Sequence, residues 1–238
     1  TEGSKTWTDS VTTQPDGYSI NESTKTVSIS TAEGLAWFAK QINSTSAKLT
    51  GDDVGFKNYT INIDNDINLS GRVWIPIDAE TVNLNGKSDR SDCFNNNLLA
   101  GAVINGNGHT ISNMTIHNTV RGPMAGHENA PGDGQSCYYY SGFIGRVSTD
   151  LTIENLNFTN ASVDGHNEPL ISTQGSSGLG VVVGLHGGGT LTISDVSVTD
   201  SSVSGYTKLG GLVGFDTASL TLVRCSVDNC KINLESFT

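Results

Sequence analysis

The chain has 238 residues, 28 of them glycine, with only 16% charged and 7% aromatic side chains. Thirteen Lys and Arg against 24 Asp and Glu leave a formal charge of −11, which excludes the basic footprint that nucleic acid or an anionic membrane surface requires. No apolar run approaches the ~20 residues that span a bilayer, and strand and turn formers dominate a regular apolar pattern, so the expected class is all-β.

Residues 1–29 are polar and turn-rich, with Asp16-Gly17 as a turn and alternation at Tyr18, Ile20, Val27 and Ile29 that predicts short strands over Trp7. Residues 30–43 carry the one helical pattern, with a Ser30/Glu33 capping box and an apolar stripe at Leu35, Phe38, Ala39 and Ile42. Residues 1–58 are therefore expected to form an N-terminal cap. Ile61, Ile63, Ile67 and Leu69 then alternate in two runs around Asp64-Asn65-Asp66, which lacks the glycine and distal glutamate of a calcium loop and reads as a corner. Trp74 and Ile77 complete this first rung.

From residue 110 a nine-residue pattern recurs, beginning at Thr110, Thr152, Thr192 and, more loosely, Thr221. Glycine-bounded strands precede three copies, at Gly142–Gly145, Gly180–Gly184 and Gly211–Gly214, and short strands at 161–163, 201–203 and 230–232 follow. Repetition at this period predicts a parallel β-helix, a β-solenoid of three short strands per rung, over residues 59–238. Alternation then directs Ile153, Leu156, Phe158 and Val163 inward, beneath Ile193, Val196, Val198 and Val203, beneath Leu222, Cys225, Val227 and Ile232. Asn113, Asn155 and Asp195 are expected at one corner, and Asn118, Asn160, Asp200 and Asn229 at another. There amides can bond from rung to rung and tolerate a left-handed backbone, and the sequons at Asn113, Asn157 and Asn160 are discounted because N-x-S/T arises by chance in such a composition. In Ile104–Ile116, Asn105–Gly108 reads as a corner, and His109 as a buried corner histidine in the place of Leu151, Leu191 and Leu220.

Three insertions interrupt the period, at about 78–97, 119–140 and 166–177, and are expected to emerge side by side on one edge. They hold the candidate binding cluster: Asp92, Arg121, His127, Glu128, Asp133, Tyr138, Tyr139, Tyr140, His166 and Glu168. Aromatic rings beside carboxylates suit sugar stacking and hydroxyl recognition. On the strands no carboxylates coincide: Glu154 has Ser194 and Val223 above it, and Asn157 has Ser197 and Ser226. The residues expected outward after the glycine strand are His186 and Asp216, above Val147. No metal-ligand spacing is present among the four cysteines, and no cofactor is expected.

The pieces Ser30–Asn43, Val73–Ile77, Asn105–Ile116, Gly142–Gly145 and Gly210–Gly214 resemble bacterial surface proteins with GLUG-type repeats. That resemblance implies a right-handed, pectate-lyase-like β-helix, secreted or held at a bacterial cell surface, with no catalytic residues to carry over. In an exported protein Cys93 and Cys137 become candidates for a disulfide joining the first two loops. The function expected is a non-catalytic, adhesin-like or glycan-binding module whose partner is a glycan or a host or matrix component. The alternatives are a polysaccharide-active hydrolase or lyase, with Glu128, Asp133 or Asp92 acting beside His127, and a structural spacer in a larger surface protein.

Overall fold

The computed structural model describes residues 6–44, 55–78, 98–117, 140–165, 178–205 and 208–235. The described chain is mostly β, and every strand pairing but the first is parallel. A short 3-10 turn, Thr8–Ser10, precedes strands β1 (Tyr18–Asn21) and β2 (Thr26–Ile29), which form an antiparallel hairpin. Helix α1 (Ala32–Ser44) follows. Its cap is Thr31 rather than Ser30: the Gly34 amide donates to Thr31 Oγ1 at 3.0 Å. The predicted stripe of Leu35, Phe38, Ala39 and Ile42 is buried, and the Phe38 ring meets Phe56 edge-on at 4.9 Å.

Parallel stacking begins at β2, which pairs with β3 (Thr60–Ile63). The chain runs on through β4 (Ile67–Asn68), then β5 (Ala102–Asn105), β6 (Thr110–Ser112) and β7 (Thr115–His117). The next circuit holds β8 (Tyr140–Ser141), β9 (Ile144–Val147), β10 (Leu151–Thr159) and β11 (Ser162–Asp164). It is repeated by β12 (Gly178–Gly180), β13 (Val183–His186), β14 (Thr190–Thr199) and β15 (Ser202–Gly205). The last circuit is β16 (Leu209–Gly210), β17 (Val213–Asp216), β18 (Ser219–Val223), β19 (Ser226–Asp228) and β20 (Lys231–Leu234).

From β8 to β20 the chain passes through four parallel sheets in turn, where the sequence suggested three strands. The main sheet runs β1-β2-β3-β5-β10-β14-β18, with β4, β6 and β19 continuing its second half. The sheet β7-β11-β15-β20 comes next, then β8-β12-β16 and β9-β13-β17. The glycine segment is therefore two strands, folded back on each other at backbone contact. A Cβ on Gly214 would lie 2.3 Å from the Leu179 amide nitrogen, and one on Gly184 2.5 Å from that of Ser141, so only glycine fits.

The inward rows match the predicted register, with Ile153 on Ile193 on Leu222 and Phe158 on Val198 on Val227. Ile61, Ile104, Ile153 and Ile193 are all nearly solvent-free, each side chain contributing about 1.5–3 kcal/mol of burial. Trp74 stacks on Phe143 at 5.9 Å and donates its indole N–H to the Phe143 carbonyl at 3.2 Å.

The first repeat copy departs from the predicted alignment. Thr110-Ile111-Ser112 pairs with Asn157-Phe158-Thr159, not with Thr152-Ile153-Glu154, whose partners are Val103, Ile104 and Asn105. Gly106–His109 are four residues spanning a corner that Asn155-Leu156 turn in two. His109 therefore closes the corner instead of taking the place of Leu151, and its side chain is about one-third exposed, not buried.

Candidate functional site

Left-handed corners stitch one circuit to the next. Asn113, Asn155, Asn160, Asp195, Asp200, Arg224 and Asn229 all have positive φ, a conformation that asparagine and aspartate accept at low cost. One ladder runs Asn68–Asn113–Asn160: the Asn113 amide donates to Asn68 Oδ1 at 2.9 Å, and that of Asn160 to Asn113 Oδ1 at 2.6 Å. Asn113 thus belongs with Asn160, not with Asn155 as the sequence alignment implied. The other ladder has Asn155 donating to Asn105 at 3.3 Å and ends in Arg224, which donates twice to Asp195 at 2.6 Å. This fork holds the Asp195 carboxyl below the usual carboxylate range. Asn118 lies outside the described residues.

Acids at the entrance to the main sheet make a second clamp that sequence reasoning missed. Asp66 accepts the Thr110 amide at 2.9 Å, and Asp150 accepts the Thr190 amide at 2.7 Å. The Thr110 amide, then the His109 ring 3.3 Å away, lowers the Asp66 pKa. The available signal was Asp followed by an alternating apolar residue, as Asp66-Ile67 and Asp150-Leu151.

His186 and Asp216 stand in register on β13 and β17, with Val147 beneath, as the repeat predicted. They do not form an outward surface pair. His186 is fully buried; its Nδ1 lies 2.6 Å from Asp216 Oδ1 and its Nε2 lies 3.0 Å from the Gly188 carbonyl oxygen. A carbonyl only accepts, so Nε2 carries a hydrogen, and the Nδ1–Asp216 bond needs one further proton between ring and carboxyl. The pair bonds two neighbouring strands, with its imidazole buried and the Asp216 side chain about one-third exposed.

The outer face of the main sheet carries hydroxyls and amides. One row reads Thr26, Thr60, Val103, Thr152, Thr192 and Thr221; the neighbouring row mixes Asn62, Asn105, Glu154, Ser194 and Val223. Ser197 donates to Asn157 Oδ1 at 2.6 Å and Thr199 to Thr159 at 3.2 Å. Among the described residues no group of His, Cys, Asp and Glu is placed to hold a metal.

Of the predicted binding cluster, only Tyr140 is described; it opens β8, half-buried, beside Gly178. Asp92, Arg121, His127, Glu128, Asp133, Tyr138, Tyr139, His166 and Glu168 lie outside the described residues, as do Cys93 and Cys137. Cys225, at its predicted inward position, and Cys230 are free, half-buried thiols.

The ends of the insertions can be placed, and they correct the single-edge expectation. The second and third leave between β7 and β8 and between β11 and β12, at one common corner. The first begins just past Ile77, which pairs with Ile144 of β9, and ends just before β5. It leaves from the far side of the glycine wall.

No protein-family model matches the chain. No solved structure matches it. The chain is 31% identical over 116 residues, 49% of its length, to halomucin of Haloquadratum walsbyi, and that match spans about 1% of the relative.

Proposed function

We propose that the chain is a non-catalytic binding module of a secreted or cell-surface protein, built as a right-handed parallel β-helix and directed at a glycan or matrix component. What supports the non-catalytic reading is the use of its acids. Asp66, Asp150, Asp195 and Asp216 each hold one circuit to another, so none is left as a free acid or base opposite a second carboxylate. The hydroxyl and amide rows of the main sheet, and the insertions leaving from either side of the glycine wall, supply the surfaces for recognition. A relative named halomucin and the resemblance to GLUG-repeat proteins both fit an exported setting.

The test is a glycan and matrix-protein array probed with the whole chain and with a variant lacking residues 122–137, alongside an assay for released oligosaccharide. Binding that the deletion abolishes, without product release, is the expected result. An absence of any ligand would sink the binding role, and released oligosaccharide would make the protein an enzyme.

A further inference from the structure

The outer face of the main sheet divides at its corner into two halves of different chemistry. Beyond the corner the outward side chains are spent within the fold. Ser197 and Thr199 donate to Asn157 and Thr159 of the preceding circuit. The Asn157 amide donates to the Gly108 carbonyl at 3.1 Å, and the Ser112 hydroxyl to that of Ile67 at 3.4 Å. Before the corner the opposite holds. Among the described residues, the side chains of Thr60, Thr152, Glu154, Thr192, Ser194 and Thr221 make no hydrogen bond. Parallel pairing holds them in straight rows, which Val103 interrupts between Thr60 and Thr152. Strands in such a sheet lie about 4.8 Å apart, so the six strands β2, β3, β5, β10, β14 and β18 present a strip about 24 Å long, parallel to the axis of the stack.

Charge and composition narrow the occupant. The chain carries −11, yet Glu154 is the one charged side chain of the two rows, and no cation stands among them. An anionic ligand therefore finds no counter-charge there. The adjacent sheet differs, with Asp164 and Lys231 in its outward rows. The strip also lacks the Tyr, Trp, Arg and Met anchors of a protein interface. A free hydroxyl both donates and accepts, which matches a ligand that is itself uncharged and rich in hydroxyls. In an extended β-linked glycan each ring advances the chain by about one strand spacing, so the ladder and such a polymer run nearly in step.

We infer that this strip binds one extended, uncharged β-linked polysaccharide chain, lying along the axis of the stack with one ring to each strand. The inference rests on the binding role proposed above and adds a second, linear site to the insertions. Each ring gains little on a face without aromatic stacking, so binding accumulates with the length of the polymer and short oligosaccharides are not held there.

Affinity electrophoresis of the whole chain reads the outcome, through gels holding hydroxyethylcellulose or its anionic counterpart, carboxymethylcellulose. Retardation by the neutral polymer and none by the anionic one is the expected result. Thr152→Val combined with Thr192→Val keeps the β-branched shape while removing two hydroxyls, and should weaken binding about tenfold. Ser202→Ala, on the adjacent sheet, should leave retardation intact, and so should deletion of residues 122–137. No retardation by hydroxyethylcellulose, equal retardation by both polymers, full retardation of the valine variant, or its loss on deleting 122–137 would each overturn the inference. None of these results touches the binding role itself, which the array decides. Should the valine variant unfold, nuclear magnetic resonance of the unaltered chain decides: hydroxyethylcellulose must shift the methyl signals of Thr152 and Thr192, and unmoved signals overturn the inference.

Discussion

At the scale of single residues, the fold is held by side chains that reach across circuits. Asn160 both donates to Asn113 and sits at a φ of 52°. Asn160→Ala should therefore cost about 1–3 kcal/mol, part from the lost hydrogen bond and part from the left-handed backbone. Asn160→Gly should recover the backbone part, and urea unfolding of the two variants separates the contributions. Asp216→Ala leaves a buried imidazole without its carboxylate and should cost about 1–3 kcal/mol by the same measurement. Tyr18 is a different case. Burial, with Tyr59 nearby, pushes its pKa up from 10.0 to about 12. A raised pKa means that the folded state favours the protonated phenol, so its stabilisation is complete below pH 10 and is lost as pH climbs towards 12. An ultraviolet titration should show one phenol ionising late. Tyr18→Phe should remove that signal and flatten the alkaline loss of stability.

At the scale of elements, α1 shows how close packing overrides propensity. Alanine normally stabilises a helix over glycine by about 1 kcal/mol. Gly34→Ala should do the opposite, because its Cβ would meet the Gly17 carbonyl oxygen at 2.1 Å. The expected loss is about 1–3 kcal/mol, read as a fall in the melting midpoint by circular dichroism. The strands were the most legible part of the sequence, since the alternation of Ile153, Leu156 and Phe158 admits one inward set and the repeats fix its stacking. What escaped were features that change the count along a circuit. Gly106–His109 adds two residues at a corner, so Thr110-Ile111-Ser112 mimics Thr152-Ile153-Glu154 in letters while pairing half a strand further on. The burial of His186 was hidden because a single strand with one solvent face would expose it, whereas the glycine segment folds into two layers. The corner of the first insertion depended on one pairing, Ile77 with Ile144, between residues far apart in sequence and without shared letters. The predicted ligand-binding residues, Tyr140 apart, fall on the insertions, where no periodicity constrains position.

At the scale of the whole molecule, stability is a sum over neighbouring circuits. Among the described residues β18 to β20 pair on one side only, and their exposed Leu222, Val227 and Ile232 bury less area than the Ile193, Val198 and Val203 beneath them. In dilute solution, hydrogen exchange should rise from β10 to β14 to β18, with protection lost first from β18 to β20. Equal protection along the stack would mean that the chain unfolds as one unit. The glycine wall sets a different limit. Because Gly184 and Gly214 stand against the backbone of the preceding circuit, at Ser141 and Leu179, a circuit cannot be added by duplicating its apolar strands alone; it must bring its glycine pair with it. Pro76-Ile77 carries no glycine pair; Ile77 meets the glycine wall through one bridge, to Ile144. The glycines are thus a ruler written into the chain. Counting pairs from Gly142 and Gly145 onward counts the doubled circuits, each adding about 4.8 Å of axial length.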